Sequence, residues 1–100
     1  MKREASISHE EALVRELRED PEYAMEYLRA ALDEDEPKVL LIALRRVIEA
    51  RGGIAKVAKA AGVERESLYR ALSAKGNPRW STLSAVLKAV GLRLTVENAA

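Results

Sequence analysis

Arg65, Glu66, Ser67, Tyr69 and Arg70 lie within six residues of one another, in RESLYR, and Lys56, Lys59, Lys75, Asn77 and Arg79 flank them on both sides. These side chains suit the chemistry of a nucleic-acid duplex. A guanidinium can donate two parallel bonds to guanine O6 and N7, which makes Arg65 and Arg70 base-reading candidates, and a carboxylate such as Glu66 can accept from a cytosine amino group. Tyr69 can meet a phosphate or a thymine methyl, and Ser67 lies on the flank of the same surface. The four flanking cations and Asn77 suit phosphate oxygens, contacts that fix register without reading sequence. A plainer reading stays open beside this one: solvated cations, with Tyr69 a half-buried packing residue.

Catalytic and metal chemistry find little support. Ser67, Ser73 and Ser81 have no histidine close in sequence, the single histidine is His9, and no Gly-rich phosphate loop follows a strand pattern. There is no cysteine, and no His/Asp/Glu group at ligand spacing, so neither a catalytic site, a metal nor a cofactor is expected. MKREASISHEE lacks the apolar run of a signal peptide and no 18-residue apolar stretch occurs, so a cytoplasmic protein without a membrane partner is expected.

To aim RESLYR at a duplex, the chain must hold it on a short, well-packed helix. Residues 53–83, GIAKVAKAAGVERESLYRALSAKGNPRWSTL, read as two helices, Gly53 to Ala61 and Glu64 to Ser73, joined by a Gly turn. Close helix packing needs a small residue at the contact, a turn residue tolerant of positive φ and an apolar anchor, and Ala58, Gly62 and Leu68 fill these roles. With Leu68, Ala71 and Leu72 inward, the helical wheel turns Glu66, Arg70 and Ser73 outward, leaving Ser67 and Tyr69 on the flanks and Arg65 free in the first turn. That is the pattern of a DNA-reading helix-turn-helix. The cap position of the second helix holds Glu64, a weaker cap than serine.

From Ile54 to Ser73 the small, Gly and apolar positions resemble a repressor-type (Xre/Cro-like) helix-turn-helix. The run ESLYRALSAKGNPRWSTLSAVLKAVGLRLTV resembles the antidote (antitoxin) proteins of chromosomal addiction modules, through its S-L-Y-x-A-L-S, G-N-P and T-L-x-x-V-L-x-A-x-G-L series, and the resemblance covers roughly residues 20 to 97. It implies an antitoxin of a type II toxin-antitoxin pair, a homodimer that binds a small ribonuclease-type toxin and represses its own operon at operator DNA. The alternatives are a stand-alone helix-turn-helix repressor, for whose ligand domain the length leaves little room, and a helical interaction module that does not bind DNA.

Charge divides the chain. Residues 1–36 carry five Lys/Arg and twelve Asp/Glu, a net of −7, whereas residues 37–100 carry twelve and four, a net of +8. An acidic helical extension over 1–36, a candidate toxin-binding part, followed by a basic DNA-binding domain over 37–100, is the expected organisation. The bland counterpart is two sets of solvated helix faces.

Along the chain, Ser8 and Glu11 form a capping-box pattern for a helix to about Arg18 with Leu13 and Leu17 as its stripe. Asp20-Pro21 starts a second helix, with Tyr23, Tyr27 and Ala31 beside Ala24, Leu28 and Leu32 as a broad apolar face. Pro37 opens a third, whose Val39, Leu40, Ile42, Ala43, Leu44, Val47 and Ile48 mark it as the central buried helix; Arg45, Arg46 and Arg51 are expected to complement its C-terminal dipole, and Gly52 to stop it. Gly76, Asn77 and Pro78 form a turn, Trp80 is expected as an anchor beneath the loop, and Ser81 is expected to cap a last helix that Gly91 ends.

In LRLTVE, Leu92, Leu94 and Val96 alternate with Arg93, Thr95 and Glu97, which predicts a short strand pairing with a twin across a twofold axis or with a partner's edge. The expected fold is all-α, a five- or six-helix repressor-like helix-turn-helix domain with an N-terminal helical extension and a C-terminal β-strand.

Overall fold

A computed structural model describes residues 8–100, leaving the first seven residues of the acidic stretch outside the described part. Six helices follow one another: α1 (His9–Glu19), α2 (Pro21–Leu32), α3 (Pro37–Ala50), α4 (Ile54–Ala61), α5 (Arg65–Ala71) and α6 (Trp80–Ala89). Local chemistry accounts for most of the starts. Ser8 Oγ accepts from the Glu11 N–H at 3.0 Å while Glu11 Oε1 accepts from the Ser8 N–H at 3.1 Å, so two otherwise unpaired donors at the mouth of α1 are satisfied together. Asp20 Oδ1 accepts from the Tyr23 N–H at 3.1 Å and Pro21 takes the first helical position of α2, where its missing N–H costs nothing.

The central element is α3. It packs against α1, α2 and α4, and buries Leu41, Ala43, Leu44, Val47, Ile48 and Ala50. One apolar cluster runs from Val14 and Leu17 of α1, through Ala24, Leu28 and Ala31 of α2, to Val86, Leu87 and Val90 at the end of α6. Among the described residues no polar or charged side chain is buried, so every ionisable group remains at the surface. No described helix is long and apolar enough to cross a membrane.

Several expectations are corrected. In α3 it is Leu41, 6% exposed, that joins the core and Ile42, 39% exposed, that does not. Leu41, Leu44 and Ile48 share one row at spacings of three and four, and Ile42 is one-quarter turn away from it. On α2 only Ala24, Leu28 and Ala31 are buried; Tyr23 and Leu32 face outward. Ser81 does not cap α6, which begins at Trp80 with Arg79 in the cap position and no side-chain cap bond.

The C-terminal strand is not seen: residues 92–97 form no ladder, because the described chain offers no second extended segment to supply their missing hydrogen bonds. Gly91 does end α6, where the Leu92 N–H donates to the Leu87 carbonyl at 2.8 Å.

The three arginines of α3 act across the fold. Arg46 donates from Nε and Nη2 to Glu10 Oε1 at 3.0 and 2.8 Å, and from Nη1 to the Tyr27 hydroxyl at 2.9 Å, joining α3 to both front helices. Arg51, the cap residue of α3, reaches the Leu17 carbonyl at 3.4 Å. Arg45 donates to the carbonyl of Leu72, just past α5.

The hydrogen bond from Arg46, opposed by slight desolvation and aided by the charge attraction, holds the Glu10 carboxyl below its usual range. A folded-state pKa below the unfolded one means that the pair's contribution is complete above the ordinary glutamate range and is lost as pH falls through the lowered value. Glu10→Gln should therefore lower stability at pH 7 by less than about 1 kcal/mol, since both groups are partly exposed, and by progressively less as pH falls through the lowered value. Melting curves of both proteins at pH 7 and pH 3 check this, and a difference that does not change with pH contradicts it.

Candidate nucleic-acid interface

The surface to be built is that of α5, and α4 supports it. In α4 the apolar positions Val57 and Ala58 are buried, while Lys56 and Lys59, one turn apart, both stay exposed. Ala58 is 1% exposed, and both α5 and α6 pack on α4. The connection depends on Gly62, whose φ of +73° places it in the left-handed region; the Val63 N–H then reaches the Ala58 carbonyl at 3.0 Å and closes the end of α4. A residue with a Cβ would be strained there although the surrounding space is open.

In the seven residues of α5 only Leu68 is buried, at 1% exposure, and Leu72 immediately after the helix matches it. These two leucines fix the helix by its inner side. Arg65, Glu66, Ser67, Tyr69 and Arg70 are all exposed, and Tyr69 retains 63% of its surface, so it is not a packing residue in this chain. Helical geometry puts Glu66 and Arg70 within about 40° of each other, opposite Leu68, with Arg65 and Tyr69 together on one flank. Among the described residues neither Arg65 nor Arg70 makes an ion pair, and Glu66 and Arg70 stay apart despite their favourable spacing of four. Ser67 is committed in part, its hydroxyl donating to Glu64 Oε1 at 2.9 Å, and Glu64 provides no side-chain cap to the helix. Ser73 folds back on α5, donating to the Arg70 carbonyl at 2.8 Å.

Beyond α5 the chain turns sharply. The Gly76 N–H donates to the Ser73 carbonyl at 2.8 Å, and Gly76 lies so close to the end of α5 that a Cβ there would stand 1.9 Å from the Ala71 carbonyl oxygen. The turn keeps Lys75, exposed, beside the last turn of α5, while exposed Asn77 and Arg79 lead on to α6, which packs on α4. At the other end the aliphatic stem of Lys56 lies over Gly52. Trp80 does not anchor the loop: it is 63% exposed at the first position of α6, bordering a groove shared with α2 and the C-terminal segment.

The bond from Arg45 to the Leu72 carbonyl ties the central helix to the end of α5, satisfying an acceptor that the helix itself leaves open. It joins residues 27 apart, and no local pattern signals it.

The arrangement is a short helix with all its long polar side chains outward, between two sets of exposed cations, and with no cluster of three potential metal ligands among the described residues. Comparison with known proteins adds the lineage. The family described as "Probable addiction module antidote protein" matches residues 10–98. A protein of Haemophilus influenzae (strain ATCC 51907 / DSM 11121 / KW20 / Rd), described as an uncharacterized protein, is 40% identical over 72 residues, which cover 72% of this chain and 73% of its own. No solved structure matches. With nearly all of its described helices inside the match, the chain belongs to the family of probable addiction module antidote proteins.

Proposed function

We propose that the protein is the antitoxin of a type II toxin-antitoxin module, neutralising a small ribonuclease-type toxin and repressing its own operon in the cytoplasm. In this reading α4 and α5 are a repressor-type (Xre/Cro-like) helix-turn-helix, and α5 enters the major groove of operator DNA. The observation that carries the DNA part is that Arg65, Glu66, Ser67, Tyr69 and Arg70 are all exposed on a helix whose single buried residue is Leu68.

Arg70 and Glu66, facing straight away from the core, and Arg65, Ser67 and Tyr69 on the flanks read base edges, with the two arginines as the bidentate readers, and each good bidentate pair is worth about 1 to 3 kcal/mol of discrimination. Lys56, Lys59, Lys75, Asn77 and Arg79 hold phosphates. Five such contacts bind weakly at physiological salt, so a homodimer reading two half-sites about one helical turn apart completes the account. The toxin, being basic, docks on the acidic residues of α1 and α2, where Glu11, Glu16, Glu19, Glu22 and Glu26 are all exposed.

Gel shifts with the DNA upstream of the protein's own reading frame test the repressor part, and co-purification with the product of an adjacent small basic reading frame tests the antitoxin part. Failure of the first alone leaves an antitoxin without autoregulation; failure of the second alone leaves a stand-alone repressor. For the phosphate set, Lys75→Ala is expected to weaken operator and random DNA alike and to lower the salt slope by about one unit. A loss confined to the operator contradicts that role.

A further inference from the structure

We propose that the C-terminal segment pairs antiparallel with the same segment of a second copy, about a twofold axis at Thr95, and that this ladder holds the dimer together. The inference deepens the dimeric reading above by naming the surface that makes it. Among the described residues, the backbone groups of residues 93–97 have no backbone partner, and Leu92 is the last to donate inward. All five side chains are exposed, Val96 at 97%. An unpaired stretch with period-two alternation is an open template for another strand.

The identity of that strand follows from the order of the residues. With Thr95 opposite its twin, Arg93 faces Glu97 of the second copy, Leu94 faces Val96, and both pairs recur by symmetry. Opposite charges, apolar pairs and Thr–Thr contacts are the favourable cross-strand combinations. A slip of one residue sets Leu94 against Thr95 and Arg93 against Val96, mixing the two faces. Moving the axis to Leu94 keeps the apolar face but leaves Arg93 opposite Thr95, without its countercharge. Of these registers only the one about Thr95 gives a favourable pair at all five positions from Arg93 to Glu97, and a toxin's edge strand needs no such palindrome of charge.

A two-stranded ribbon alone is marginal, so the dimer must also cover apolar surface. Such surface adjoins the segment: a groove of about 870 Å³ between α2, α3 and α6, lined by Leu32, Leu40, Trp80 and Leu83 and bordered by Leu94 and Val96. Bringing two copies together at residues 92–98 places both grooves at the seam.

Sedimentation equilibrium on the full chain tests the proposal. The wild type should have twice the 11.1 kDa chain mass. With Thr95 and its twin as a hydrogen-bonded pair, exchanging both N–H···O bonds across the axis, Thr95→Pro removes the two central bonds and should give the monomer with unchanged helical circular dichroism. Arg93→Glu or Glu97→Arg alone should weaken self-association by at least about tenfold, since like charges then stand opposite each other, and the double exchange should restore it. A wild type that is monomeric at every concentration overturns both this pairing and the dimeric reading, whether or not Thr95→Pro then weakens toxin binding. A dimer indifferent to Thr95→Pro, or single reversals that the double exchange does not rescue, overturns the pairing alone and leaves the operator reading standing.

Discussion

Replacing Arg70 by alanine should lower affinity for operator DNA by about 1 to 3 kcal/mol, a factor of roughly five to a hundred and fifty, while random DNA changes by no more than about threefold. Arg70 lies opposite the buried Leu68, is exposed, and makes no ion pair among the described residues, so its removal leaves the folded chain with no lost partner. Stability should therefore stay within about 0.5 kcal/mol of the wild type. Arg70→Lys supplies the finer distinction: it keeps the charge and loses the planar fork, so it should resemble alanine in specificity and the wild type in salt dependence. Competition titrations with operator and random duplexes read both quantities. Equal loss on the two DNAs would make Arg70 a phosphate ligand and remove it from the base-reading set.

Gly76→Ala should be the most damaging single methyl group in the molecule. Its Cβ would lie 1.9 Å from the Ala71 carbonyl oxygen, 2.4 Å from the carbon that bears it and 2.7 Å from the Arg70 carbonyl oxygen. These are backbone atoms, so no side chain can rotate out of the way. The turn must move instead, and with it Lys75, Asn77 and the last turn of α5 to which Ser73 and Arg45 are bonded. We expect a loss of about 2 to 3 kcal/mol, seen as a fall in Tm of roughly 10 to 20 °C, together with weaker DNA binding. Thermal melts followed by circular dichroism check it; a Tm within about 2 °C of the wild type shows that the turn relaxes freely and that the close approach has no structural role.

What was legible in the sequence was largely what is decided within one turn of helix. Ser8 with Glu11, Asp20 with Pro21, and Gly62 in the left-handed region each act on backbone groups three or four residues away, so their effect can be read directly from spacing. Buried Ala58 and Leu68 were legible for the same reason, since helical periodicity assigns one face to the core. The broad apolar surface of α3 was harder: when most positions are apolar, periodicity does not choose between Leu41 and Ile42, and the choice falls to whichever neighbour packs there.

Spacing alone presents Arg45, Arg46 and Arg51 as helix-end charges, because their partners, Glu10, Tyr27, Leu17 and Leu72, lie 19 to 36 residues away and come within reach only after the helices pack. In sequence Gly76 is an ordinary turn residue, and its need to lack a Cβ emerges only from the backbone opposite it. The strand over residues 92–97 has the right alternation and no partner in the same chain, so the single molecule leaves it without a ladder.

If α5 reads a duplex, it must tell one sequence from another. Fluorescence anisotropy of the full chain on a labelled fragment from upstream of its own reading frame, against a scrambled fragment of equal length and composition at about 0.15 M salt, tests it most directly. Binding to the upstream fragment should be at least about a thousandfold tighter than to the scrambled one. Equal affinity for the two, or none for either, contradicts it.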